Sequence, residues 1–504
     1  MGSYNFYYDE SEHSHKICSS AIEAEGYYDN FLAVIVGWQT NKENDMYKKH
    51  NVFEEKYKDR NDNNSELKSQ AIRTRRFKHG FQSLNQKNVD FVYDFLSLFD
   101  ENCKLYFFIG SKIEYVITQL FSNVSSNAVF NVNAMRYTII KAINCYKPSA
   151  VIDCAFSSSD SNELISVLKE FFMNRIEANK QNVKLKALEN NAFVNVIKAL
   201  DWLSNSVQKK YNEAWDYRMV FDGFSKYLDE SDVLDYMLVL DEEGEVGSES
   251  ATLRAAKDVG LRAIERDSRT SQGIRIADMM IGIVGKLLKS IHKAMQNKND
   301  SHAIVKSMLD DKWFALDERQ FQLYKKLHCI ICKYDKAWYK LYSGLYSDDL
   351  VVFMSLLDYI TSFDSVESLS RCSNHSEKFN AFSVERLRRN LCDNILTIDD
   401  VFEINNDFFL NCHGAKMYFD ARKQPVFRMQ GIECVLNVLS VGIINHSTPL
   451  ITILVNEVPI CYKFPDTLSA WACSVVEMAN NGVKIFPSQV RFTMVDGVMC
   501  ADII

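Results

Sequence analysis

Runs of apolar and polar positions divide the chain into four stretches. Between residue 4 and about 118, three segments carry strand character: YNFYYDES (4–11), FLAVIVGW (31–38) and CKLYFFIG (103–110). Their aromatic and β-branched residues suit a pleated, half-buried surface. The Asn-, Lys-, Asp- and Glu-rich stretch 41–65 predicts a polar loop, and the basic segment after it predicts helical character. From 119 to 232 apolar residues recur at helical spacing, as in ELISVLKEFFMNRIEANK and AFVNVIKALDWLSNSVQKKY. Strand patterns return at DYMLVLDEEGE (235–245) and GLRAIERDS (260–268), followed by a helix over about 273–296. Residues 300–410 again predict helices. Beyond about 414, MYFDARKQPVFRM, MQGIECVLNVLSVGIIN, PLITILVNEVPICYKF and QVRFTMVDGVMC read as strands separated by turn residues. No internal repeat or low-complexity tract interrupts this order.

Three strands, a helical insertion, then two strands with a short connection assemble economically into one mixed sheet. The first three strands run antiparallel, and the fourth and fifth add in parallel beside the first. Asp9 then ends the central strand and Asp241 ends its parallel neighbour, so both reach the same sheet edge. Ligand sites of open sheets lie at the carboxyl ends of strands. The acidic pair Asp9–Glu10 is therefore either a solvated loop entry or one side of a cation site. Glu10 alternates to the opposite face and reads as structural.

Two further segments bear on that choice. In SQGIRIADMMIGIVG (271–285), Ile274, Ala277, Ile281 and Val284 form an apolar helix face beside Gly273, Gly282 and Gly285. Asp278 sits within this surface, where an ionised carboxylate is costly unless it is paired or binds metal. Arg254 and Arg262 are the alternative, purely structural partners. In SELKSQ (65–70), Glu66 and Lys68 share a face if the segment is extended. A carboxylate beside an ammonium suits phosphate chemistry, and the bland reading is an exposed charge pair.

Composition narrows the class. The chain has 504 residues, 25% charged and 47% hydrophobic, enough for two or three cores. A net charge of −8 excludes a generally basic surface but permits a local basic groove. The polar N-terminus predicts no signal peptide, and no apolar run is long enough to span a bilayer. Thirteen scattered cysteines fit a reducing cytoplasm.

YYDES, ELK, LVLDEE and GIRIADMMIG, in that order, resemble the bacterial family catalogued as domain of unknown function 3800. The resemblance covers about residues 1–296. It implies an α/β domain of RNase H-like fold, in the retroviral-integrase superfamily, with a mixed five-stranded sheet and a helical insertion at about 119–232. A helical region (297–410) and a small β-rich C-terminal domain (411–504) follow. The resemblance also implies Asp9, Glu66, Asp241 and Asp278 as the acidic, metal-binding constellation, with Lys68 beside it. Two positions depart from the family pattern: Arg275 replaces a Gln, and Glu12 stands where a Gly is usual, adding a carboxylate near the first turn.

Such a constellation predicts Mg²⁺- or Mn²⁺-dependent phosphodiester cleavage, with two cations roughly 4 Å apart activating water and stabilising the leaving oxygen. Asp9 is the expected bridge between them. Nucleic acid, DNA or RNA, needs a positive track. Residues 67–89 contain Lys68, Arg73, Arg75, Arg76, Lys78 and Lys87 and no acid. Arg73, Arg75, Arg76 and Lys78 are the predicted contacts, and Phe77 and Phe81 either stack on bases or pack inward. A solvated helix face is the competing reading.

Other motifs carry less. His13 and His15 form a lone HSH. Cys329 and Cys332 form a CxxC without a second pair, which reads as core cysteines. EEGEVGSES (242–250) lacks the Lys-Ser/Thr of a phosphate loop. The last 200 residues read by default as a specificity, protein-partner or homo-oligomerisation module. Two functions follow: a cytoplasmic metal-dependent nuclease of bacterial defence, or a non-catalytic RNase H-like scaffold in a defence or mobile-element system.

Overall fold

The computed structural model describes the chain except residues 1, 13–16, 25, 61–65, 125–130, 157–160, 204–206, 208–210, 243–248, 297–306, 392–423, 430, 445–447, 457, 481, 482, 484 and 496. His13, His15, most of the glycine-bearing stretch after Asp241 and the first part of MYFDARKQPVFRM lie outside the described residues. The chain divides into two compact units: residues 1–120, 140–186 and 209–387 form the first, and 121–139, 187–208 and 388–504 the second.

The first unit is built on strands β1 (Tyr4–Ser11), β2 (Asn30–Gln39), β3 (Lys78–Phe81), β4 (Lys104–Ser111), β5 (Tyr236–Asp241), β6 (Ala263–Arg266) and β7 (Leu341–Ser343). All but β3 join one mixed sheet in the order β6-β5-β1-β2-β4-β7. β1, β2 and β4 pair antiparallel, while β5 and β6 add in parallel beside β1. The three-plus-two arrangement expected from the strand order is present. The sheet nevertheless has six strands, not five. β7, from a stretch read as wholly helical, pairs in parallel with β4. With three residues, β7 is too short to show a period of two.

Both faces of the sheet are covered, which is why β2 is almost continuously apolar. Phe6 and Tyr8 of β1 meet Phe224 and Phe221 of the helix Arg218–Glu230. Tyr7, on the opposite face, lies against Gly273 of the long helix Gln272–Met295, where an added Cβ would stand 2.3 Å from the Tyr7 ring. Ile274, Ala277, Ile281 and Val284 are buried as the periodicity requires. Each of the three branched side chains contributes about 1.5–3 kcal/mol of burial.

Two local expectations need correction. Most of the stretch read as a polar loop is a helix, Thr40–Lys56. It buries only Met46, His50 and Phe53, a stripe too sparse to stand out against its charged residues. The basic segment is not a continuous helix. It forms two 3-10 turns, Ser69–Ala71 and Thr74–Phe77, then β3, and regular helix begins only at Gln86.

The second unit contains β8 (Glu433–Ile444), β9 (Thr448–Val455), β10 (Val458–Lys463), β11 (Ser488–Val495) and β12 (Val498–Ile503). They form an antiparallel sheet in the order β10-β9-β8-β11-β12, with the helix Ser469–Asn480 against β8 and β9. Val441, Ile451, Val490 and Phe492 are among its core residues. Among the described residues, no helix is long and apolar enough to cross a membrane.

Candidate metal centre

Strand alternation decides which carboxylates reach the site. Tyr7 faces the long helix, so Asp9 shares that face. Glu10 lies with Tyr8 on the other, where the Tyr8 hydroxyl donates to its carboxylate. The parallel register matches Tyr7 with Val239. Asp9 and Asp241 therefore each lie two residues further along adjacent strands. Burial first, and then the charge of Asp278, pushes the Asp9 carboxyl well above its ordinary range, with Glu10 and Asp241 adding to the rise. Burial also raises the Asp241 carboxyl, against the opposing effects of backbone N–H donors and Lys68. Those donors are Glu242 and Ser268, each 3.0 Å from Asp241 Oδ1.

Asp278 is half-buried on the long helix, and neither Arg254 nor Arg262 is its partner. Arg254 donates to the Ser250 carbonyl, and Arg262 pairs with Asp235 at 3.7 Å. Asp278 instead accepts from the Ser69 backbone N–H (2.8 Å) and from Ser69 Oγ (3.0 Å). This packing depends on Gly282, because a Cβ there would fall 2.1 Å from that of Ser69. Lys286, one turn further on, donates to the carbonyls of Ser69 (2.9 Å) and Gly282 (3.1 Å). Burial brings its ammonium down to about 8. The turn bearing Ser69 is thus held to the helix on both sides.

That turn follows directly from Glu66 and Lys68. The two side chains face each other as expected, with Lys68 Nζ 3.5 Å from Glu66 Oε2. Glu66 is nine-tenths buried, while Lys68 is half exposed. Glu66 Oε1 is fully enclosed and has no hydrogen-bond partner among the described residues. A buried carboxylate oxygen without a donor is the feature that a bound cation satisfies. The donor set is all oxygen, which fits Mg²⁺ or Mn²⁺. Among the described residues, however, no three of these carboxylates bring ligand atoms within 4.8 Å of one another. Among the described residues, the trio of ligand atoms within 4.8 Å of one another belongs to His328, Cys332 and Asp358, outside this group.

Glu12 adopts a left-handed backbone, φ +66°, the conformation that a glycine accommodates without strain. Its carboxylate pairs with Lys289 at 2.6 Å. Arg275, the other departure, is bound to Glu54 and to the carbonyls of Ser268 and Arg269, tying the loop after β6 to the helix. Arg73, Arg75, Arg76 and Lys78 are all exposed. Phe77 and Phe81 pack fully into the core and are not stacking platforms. Ser69, Lys286 and Lys289 are neighbours of the site that the sequence pattern does not single out. The one available signal is the spacing of Lys286, eight residues after Asp278 on the same helix face.

No family model, curated protein or solved structure matches the chain.

Proposed function

We propose that the first unit is an RNase H-like, metal-dependent nuclease. Asp9, Asp241, Glu66 and Asp278 would hold Mg²⁺ or Mn²⁺, which when bound supplies water activation and charge stabilisation at a phosphodiester. The observation that carries this reading is the placement of Asp9. It lies half-buried on the face of the long helix, level with Asp241 on the adjacent parallel strand, where burial and the neighbouring charge of Asp278 push its carboxyl up. Lys68 pairs with Glu66, acts on the charge of Asp241 and is exposed enough to meet a substrate phosphate. Arg73, Arg75, Arg76 and Lys78 supply a solvent-facing basic track for DNA or RNA. The resemblance to the domain of unknown function 3800 family rests on the motifs alone, and a role in bacterial defence rests on that resemblance.

A second reading has its own support. Both oxygens of Asp278 are engaged by Ser69, and among the described residues no three of the carboxylates bring ligand atoms within 4.8 Å of one another, as suits a non-catalytic scaffold. Cleavage of labelled single- and double-stranded DNA and RNA in Mg²⁺ or Mn²⁺ separates the two. The nuclease reading requires cleavage by the wild type that is abolished in Asp9→Asn. Equal cleavage in both preparations, or none on any substrate, rejects it.

A further inference from the structure

The CxxC of the sequence acquires unexpected neighbours in the fold. His328 ends the helix Glu318–His328, and the chain continues through a π-helical turn, Cys329–Lys333. A π turn inserts a residue relative to α-helical winding and re-aims the side chains on it, and such turns concentrate at functional sites. Here His328 and Cys332 come to the helix Asp348–Thr361, where His328 Nε2 lies 2.7 Å from Asp358 Oδ1. The imidazole nitrogen, the Cys332 sulfur and an Asp358 oxygen all lie within 4.8 Å of one another. All three residues are half-buried. The other Asp358 oxygen accepts from the Arg386 guanidinium.

We propose that His328, Cys332 and Asp358 form a binding site for a Zn²⁺-like cation, separate from the acidic sheet edge. One nitrogen, one sulfur and one oxygen make a borderline-soft donor set, whereas the sheet edge offers only hard oxygens. Three protein ligands leave the fourth tetrahedral position open to water. Arg386 would act from outside the ligand sphere, fixing the orientation of the Asp358 carboxylate. The competing arrangement is a metal-free His328–Asp358–Arg386 bridge joining three helices, in which Cys332 is merely adjacent. The sulfur distinguishes the two: a bridge does not use it and a metal does.

Cobalt titration of the full-length, tag-free protein tests this, after metal has been removed with a chelator. The expected result is a thiolate-to-cobalt charge-transfer band in the near ultraviolet, saturating at one equivalent and bleached by Zn²⁺. Cys332→Ser, a mild change at a half-buried position, should abolish the band while the far-ultraviolet circular dichroism stays unchanged. In the wild type, Zn²⁺ should also slow alkylation of Cys332 relative to the exposed Cys145, read by peptide mass spectrometry. The proposal fails if the wild type gives neither band nor protection. It fails equally if the band persists in Cys332→Ser.

Discussion

Asp9, two residues short of the end of β1, and Asp241, the last residue of β5, stand level on adjacent parallel strands, two residues beyond the matched pair Tyr7 and Val239. Burial and neighbouring charge raise the Asp9 carboxyl well above its ordinary range, and burial raises that of Asp241.

The sign of the resulting pH dependence follows. For an acid raised in the folded state, the stabilising contribution is full below the unfolded value of about 4 and declines as pH rises towards the folded value. Asp9→Asn removes that decline. Without divalent cations, the variant's melting temperature should therefore gain on the wild type as pH rises from 4 to 7. A constant difference across that range would mean that Asp9 is not raised by its surroundings.

Metal should reverse this ranking. Mn²⁺ is expected to raise the wild-type melting temperature more than that of Asp9→Asn or Asp278→Asn, because each variant lacks a ligand. Equal shifts in all three proteins, by differential scanning fluorimetry, would remove both residues from any cation site.

The basic track has a quantitative signature. Changing Arg73, Arg75, Arg76 and Lys78 to Ala should leave the fold intact, since all four are exposed. Nucleic-acid affinity should fall, and the slope of log affinity against log salt should decrease by about one for each phosphate that is no longer neutralised. An unaltered slope in fluorescence anisotropy would make this an ordinary solvated surface.

Glu12 allows a comparison in which the ion pair cancels. Glu12→Gly and Glu12→Ala both remove the ion pair with Lys289, and only Ala keeps the left-handed strain of about 1–2 kcal/mol. Gly should therefore be the more stable of the two by up to about 1 kcal/mol, the strain exceeding the backbone entropy that Gly gives up on folding. Urea denaturation of the two variants measures the difference directly, and an Ala variant as stable as Gly would contradict it.

Close packing at Gly282 positions the Ser69 turn, which directly follows Glu66 and Lys68. Gly282→Ala should destabilise by about 1–3 kcal/mol, because the added methyl meets Ser69 Cβ and the turn has to move. Gly285→Ala is expected to be milder, since its Cβ would stand 3.2 Å from the end of the flexible Leu32 side chain. Thermal melts that rank the two in the opposite order would mean that the turn is loosely held.

Period and order along the chain determined much of this protein. The strands carrying Asp9 and Asp241, their place in the sheet and the helix carrying Asp278 all follow from runs long enough to show a period. The alternation that sends Asp9 and Glu10 to opposite faces was legible for the same reason. Sparse or short segments were not: the helix Thr40–Lys56 buries three side chains, and β7 has only three residues. Only tertiary structure decided the partners. Ser69 meets Asp278 and Lys286 across more than two hundred residues, and His328, Cys332 and Asp358 meet through a π turn and a second helix. Such meetings depend on where whole elements pack, and local sequence encodes the element but not its neighbour.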